Sequence, residues 1–184
     1  MLALSAAVRA QAQVLTLQAD RAQSTAEITL GATFHTVHGK FQMRSGEIRF
    51  DPGTAKISGE LVFDATSGKT GNDGRDQKMH KSVLESERFP DITFRPDHVE
   101  GKVAGSGPST VQVHGMFGLH GTEHELTVPV EVRLESSRWT ASTHFNIPYV
   151  KWGLKNPSNA FLHVGDSVEI AFHAEGGVTT ASSQ

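Results

Sequence analysis

Apolar and polar residues alternate along most of the chain. Leu126, Val128, Val130, Val132 and Leu134 are apolar, and Thr127, Pro129, Glu131 and Arg133 between them are mostly polar. A period of two puts successive side chains on opposite faces of a strand, one wet and one dry. The same period runs through Ile28/Leu30/Ala32/Phe34, Ile48/Phe50, Ile57/Leu61/Phe63, Ile92/Phe94, Val111/Val113/Phe117/Leu119, Trp139/Phe145/Ile147 and Val168/Ile170/Phe172. Turn signals separate these runs at Arg44-Ser45-Gly46, Asp51-Pro52-Gly53, His120-Gly121-Thr122 and Val164-Gly165-Asp166. Strands joined by short links form an antiparallel meander, which hides its edges by closing into a barrel or stacking into a sandwich. Pro129 lacks an N–H within the strongest strand, which predicts an edge or a bulge there.

One segment breaks the rhythm. Asn72 through Glu85 shows no alternation. Asp73 is a candidate helix cap, with Asp76 near the positive end of the helix dipole. Met79 and Val83 are four apart and share one helical face. The segment predicts a short helix or lid near residues 73–85 that packs Met79, Val83 and Leu84 on the sheet. Phe89-Pro90 ends it and starts the next strand.

Length and composition restrict the function. The chain has 184 residues, 17 Lys+Arg against 20 Asp+Glu, and no Cys. A single domain of this size buries roughly 70% of its unfolded surface and needs no staple. Zinc fingers, Fe–S sites and thiol nucleophiles are excluded. The net charge of −3 and the lack of a long basic run argue against nucleic acid as a partner. No run of ~18 apolar residues marks an integral membrane helix. Residues 1–12 hold the apolar run Met1–Val8 and the small-x-small pattern Ala10-x-Ala12, without a basic start. They read as the remnant of an export signal, which predicts a periplasmic or secreted protein. Residues 13–176 read as one β-domain and residues 177–184, small and polar, as a flexible tail.

The 10 His residues raise the question of a metal. His35 and His38 are three apart on a predicted strand and so point to opposite faces. His120, Glu123 and His124 flank a turn and could meet across it. Their ligand count is too small for a structural site, which favours reading them as solvated turn residues. His114, His144 and His173 alternate with apolar residues and read as outward-facing. Gly-x-Ser-x-Gly is absent. Gly68-Lys69-Thr70 imitates the end of a phosphate loop, but Phe63 stands where its first Gly belongs. No carboxylates pair as acid and base in the sequence, so no catalytic residue is nominated and no cofactor is expected. Arg75-Asp76 opens the non-strand segment. It reads as a salt bridge or cap that fixes a lid over a barrel, or as a solvated surface pair worth ~0–1 kcal/mol.

Four stretches in order resemble the YceI-like family. Phe34-His35-Thr36-Val37-His38-Gly39-Lys40-Phe41 resembles its first hairpin. Thr70, Arg75-Asp76, Met79, Leu84 and Phe89-Pro90-Asp91-Ile92-Thr93-Phe94 resemble its centre. Val113–Gly121 with Leu126–Val130, and Val164–Ile170, resemble its later strands. Lys78 stands where many relatives carry His, and Phe145–Phe161 departs from the family's usual run. The resemblance implies an all-β fold: an antiparallel eight-stranded lipocalin-like barrel, exported in bacteria. It also implies a polyisoprenoid, or a similar long apolar lipid such as an isoprenoid quinone, held in the lumen.

An eight-stranded barrel has room for its own side chains or for one slim ligand. A filled core would give the same alternation as a tunnel, so pattern alone leaves both open. Under the ligand reading, the wall candidates are Phe34, Phe41, Phe50, Phe63, Met79, Leu84, Phe94, Phe117, Trp139 and Phe145. The expected partner is a long-chain isoprenoid-type lipid, with a homodimer left open. The competing reading is an exported His-dependent metal-binding protein using His120, Glu123, His124 or His35/His38.

Overall fold

The structure, a computed structural model, describes residues 14–180. Its strands are β1 (Leu15–Ala19), β2 (Thr25–Ala32), β3 (His35–Asp51), β4 (Lys56–Lys69), β5 (Asp91–Glu100), β6 (Pro108–Leu119), β7 (Thr122–Leu134), β8 (Arg138–Ile147) and β9 (Val168–Thr180). Each strand from β2 to β9 pairs antiparallel with the next, and β9 returns to β1 and β2. The result is a closed antiparallel barrel of 8 strands. β1 and β2 share one position in it, since both lie between β3 and β9. The break between them is a turn in which the Asp20 carboxylate accepts the Ala22 N–H at 2.9 Å.

Burial follows the predicted period. Along β7 the even residues from Leu126 to Leu134 face inward and their neighbours are exposed. Closure removes most of the sheet edge, apart from β7 before Glu131, which has no partner on β8, and this explains how an alternating meander is stable without a second layer. Pro129 lies just beyond the point where β7 stops pairing with β8, so its missing N–H breaks no ladder there.

One end of the barrel carries the only helix among the described residues. α1 (Asp73–Lys78) runs into a π-helical turn, Met79–Val83. The cap of α1 is Asn72, whose side chain accepts the Arg75 N–H at 2.9 Å; Asp73 is the first helical residue and not the cap. The two-residue β6–β7 turn, the β2–β3 turn at Thr33-Phe34 and the long β8–β9 loop lie at this same end.

Three expectations are corrected by the strand limits. Arg44-Ser45-Gly46 is not a turn: it lies inside β3, where a bulge against β4 shifts the register between Met43 and Ser45. Phe34 extends the Ile28/Leu30/Ala32 period by one step, but β2 stops at Ala32. The chain reverses at Phe34, and its ring is 82% exposed. Gly177–Thr180 is not a loose tail: it is the end of β9, paired with β1 from Gly176↔Ala19 to Thr180↔Leu15. A Cβ at Gly176 would lie 1.9 Å from the Gln18 carbonyl oxygen, so the small residue permits this close pairing. The export-signal reading of residues 1–12, and residues 181–184, lie outside the described residues.

Candidate binding cavity

The inward faces do not close on one another. They leave a cavity of about 660 Å³ inside the barrel, in the range of ~300–1,000 Å³ typical of small-molecule sites. Phe41, Phe50, Phe63, Met79, Leu84, Phe94, Phe117, Trp139 and Phe145 all line it; Phe34 does not. The lining on β6 extends from Val111 to Leu119, roughly 27 Å of strand at ~3.3 Å per residue. The cavity is therefore long as well as apolar. At the end away from α1, Leu17, Ile48, Phe50, Leu134 and Trp139 are buried in one cluster, and the Trp139 indole N–H donates to the Gln18 carbonyl at 3.4 Å. Phe63 meets Phe172 edge-on, with ring centroids 5.4 Å apart.

The polar lining gathers at the other end. His35, Asn72, Gly74 and Lys78 are solvent-exposed and also line the cavity, so the cavity opens beside α1. His35 faces this mouth while His38 points outward, as the odd spacing predicts. Sequence reasoning missed Thr70, Asn72, Arg75 and Lys78 as mouth residues, because a strand period carries no information about a loop folded over a strand end. Tyr149 was missed too. Its hydroxyl donates to the Gly165 carbonyl at 2.7 Å, and burial, with Asp166 adding to it, pushes its pKa up to about 12.

Besides Lys78, whose ammonium donates to the Pro157 carbonyl of the β8–β9 loop at 2.7 Å, three sets of contacts hold the helical segment over the lumen. Thr70 is the first. Its N–H donates to the Asp76 carboxylate at 2.9 Å and its hydroxyl donates to the same oxygen. Arg75 Nε donates to the Thr70 hydroxyl and Nη2 to the Thr70 carbonyl, each at 2.7 Å. Arg75 and Asp76 therefore act together through Thr70, as a clamp on the lid, and not as the salt bridge or helix cap expected of them. The second set centres on His80, which reaches the Gly68 carbonyl through Nε2 at 2.8 Å and the Ser86 hydroxyl through Nδ1 at 3.0 Å. A carbonyl only accepts, so Nε2 carries a proton, and in the neutral ring Nδ1 accepts from the Ser86 hydroxyl. The third set is Glu85 Oε2, 2.6 Å from His120 Nε2, with Phe89 stacked obliquely on the same imidazole.

The barrel wall has a seam. β7 and β8 pair only between Glu131–Leu134 and Trp139–Ser142. Nearer the mouth, the Thr143 hydroxyl donates to the Pro129 carbonyl at 2.5 Å. Trp152 of the β8–β9 loop packs over this region, beside Phe145 of β8 and Phe117 of β6 and flat on His124 of β7. Burial holds the His124 pKa below the ordinary histidine value. Among the described residues, His124 Nε2 finds no hydrogen-bond partner.

These contacts separate the residues of the metal reading. His120 bonds Glu85, Glu123 pairs with Arg95, and His124 lies under Trp152. His120 and His124 are thus structural contacts, not solvated turn residues. Among the described residues, no group of 3 or more His, Asp or Glu side chains is placed to hold a metal ion. The outward-facing His114 sits between Asp97 at 2.6 Å and Glu125 at 2.9 Å.

The YceI-like domain model matches residues 17–176, which include the barrel from β1 through most of β9. The chain belongs to the YceI-like family. Solved structures share its fold. BcnA of Burkholderia cenocepacia is 21% identical, with a TM-score of 0.72 over 86% of this chain and 99% of that one. A polyisoprenoid-binding domain from Saccharophagus degradans, implicated in plant cell wall breakdown, is 20% identical, with a TM-score of 0.67 over 88% and 96%. The Campylobacter jejuni YceI protein is 16% identical, with a TM-score of 0.63 over 79% and 86%. No curated protein matches the chain by sequence.

Proposed function

We propose that this YceI-like barrel is a binding protein and not an enzyme. It takes up a long apolar lipid of the polyisoprenoid or isoprenoid-quinone class and sequesters or transports it in the bacterial envelope. The observation that carries this reading is the long apolar cavity, open at one end. Nine of the ten predicted wall residues line it, and they are its proposed ligand contacts. The Saccharophagus degradans domain, described as polyisoprenoid-binding, has the same fold and lends support. Burying a dozen methylenes is worth roughly 10 kcal/mol at ~0.8 each, before ordering costs. An apolar lumen is therefore sufficient for binding without a catalytic group. A periplasmic or secreted location fits a carrier of this kind.

Native mass spectrometry of the purified protein, followed by organic extraction and a metal scan, tests the reading. One stoichiometric long-chain lipid without stoichiometric metal is expected. An empty protein that also refuses added polyprenols and quinones would overturn it.

A further inference from the structure

Phe34 and Phe161 are the most exposed large apolar side chains among the described residues, at 82% and 90%. They are distant in sequence and adjacent in space. Ala32 bridges to Val164, and the Thr33 N–H donates to the His163 carbonyl at 2.9 Å. Each Phe immediately precedes a residue that lines the cavity mouth, His35 and Leu162 respectively. Phe161 is held outward by a fixed turn: the Asn159 side chain accepts the N–H groups of Phe161 and Leu162, at 2.9 and 3.0 Å. Single exposed apolar residues are ordinary on protein surfaces. Two exposed phenylalanines on joined segments of the rim of an apolar cavity need a more specific account.

The charge around them is informative. The segments 69–89 and 148–167, which build the mouth end, hold seven basic and five acidic side chains, although the whole chain carries −3. Asp76 is hydrogen-bonded to Thr70 and Glu85 to His120, and Arg75 and Lys78 are held in turn by the Thr70 and Pro157 carbonyls. Lys151 and Lys155 are exposed on the β8–β9 loop, and among the described residues neither forms a salt bridge. Aromatic rings flanked by cations are what a protein presents to the interface of an anionic bilayer.

We propose that the mouth end docks on an anionic lipid bilayer, with Phe34 and Phe161 inserted among the acyl chains and Lys151 and Lys155 facing lipid phosphates. This rests on the lumen reading above and adds to it a site of exchange. A lipid leaving the membrane between the two rings would enter the cavity past His35 and Leu162 without crossing water.

Vesicle flotation of the full chain tests this, using phosphatidylcholine vesicles with and without phosphatidylglycerol. The full chain is expected to float with the anionic vesicles and less with phosphatidylcholine alone. Phe34→Ser with Phe161→Ser should weaken flotation by roughly tenfold or more, as the transfer of two exposed rings requires. Both side chains lie outside the cavity, so lipid loaded into the lumen from detergent solution should be retained, whereas loading from anionic vesicles should slow with the loss of docking. Lys151→Glu with Lys155→Glu should weaken anionic binding and reduce its salt dependence. Equal flotation of the phenylalanine variant and the parent would overturn the proposal. So would sedimentation showing that the two rings bury each other in a dimer that ignores vesicles. A loaded lumen without vesicle binding overturns docking alone. An empty lumen with phenylalanine-dependent vesicle binding supports docking and removes the carrier reading instead.

Discussion

The His124 imidazole lies flat on the Trp152 indole, with ring centroids 3.9 Å apart and planes 3° from parallel. This stack joins the β8–β9 loop to β7 at the height where β7 and β8 no longer pair. The loop thus serves as part of the barrel wall. Trp152→Ala should cost about 2 kcal/mol, below the ~3–5 of a fully buried aromatic because Trp152 is only half-buried. It should also speed the escape of a bound apolar fluorophore through the seam. Denaturant unfolding and probe-release kinetics measure the two effects. A stability loss with unchanged release would mean that the seam is closed without Trp152.

Two histidines should titrate in opposite directions. The bonds to Asp97 and then Glu125 raise the His114 pKa above 6.5, whereas burial lowers that of His124 below it. With a raised folded pKa, His114 adds stability that is full below the unfolded value and is lost as pH rises through the folded value. His124 behaves in the opposite sense. Above the unfolded value both states are neutral, and as pH falls toward its folded value the unfolded chain takes the proton first and the fold loses stability. Histidine NMR titration should place His114 above 6.5 and His124 below. The reverse order would contradict the contacts described here.

The strand period and turn signals made the barrel legible, because side-chain direction in a strand depends on nothing beyond the strand. That is why the seven candidates that sit on strands face the cavity, whereas Met79 and Leu84 reach it from the helical segment. Phe34 was misread because a period has no marker for where a strand ends, and the reversal at Thr33-Phe34 lacks the Gly or Asn that usually marks one. Gly176-Gly177 looked like a loose tail for the opposite reason. Glycine there permits a close approach by β1, and sequence does not distinguish permission from looseness. The mouth was only partly visible. Arg75-Asp76 could be read as fixing a lid, but as a salt bridge or cap, because its common partner Thr70 and the His80–Ser86 bond depend on how the loop folds back.

The clamp can be tested by itself. Thr70→Val removes the hydroxyl that receives Arg75 Nε and donates to Asp76. A loss of about 1–2 kcal/mol is expected, typical of an interrupted half-buried network. The effect should be local: hydrogen exchange at Leu84, Ser86 and Phe89 should speed up before the β6–β7 ladder does. Exchange accelerating equally everywhere would mean that the lid and the barrel open as one unit.

A charge in the lumen bears most directly on binding. Phe63 is buried at 8% exposure and packs edge-on against Phe172 near the middle of the cavity wall. Phe63→Asp puts a carboxylate where an apolar chain would have to lie, and neither the wall nor a hydrocarbon can solvate it. Lipid uptake should be abolished. Phe63→Leu leaves the lumen apolar and should retain uptake while losing about 1–2 kcal/mol of stability. Leu84→Asp supplies the same charge from the half-buried end of the π-helical turn, where folding is more tolerant than on a barrel strand. Circular dichroism separates a folded variant from an unfolded one, and extraction with mass spectrometry reads the lipid. Normal loading in either folded aspartate variant would show that the ligand does not touch that part of the wall.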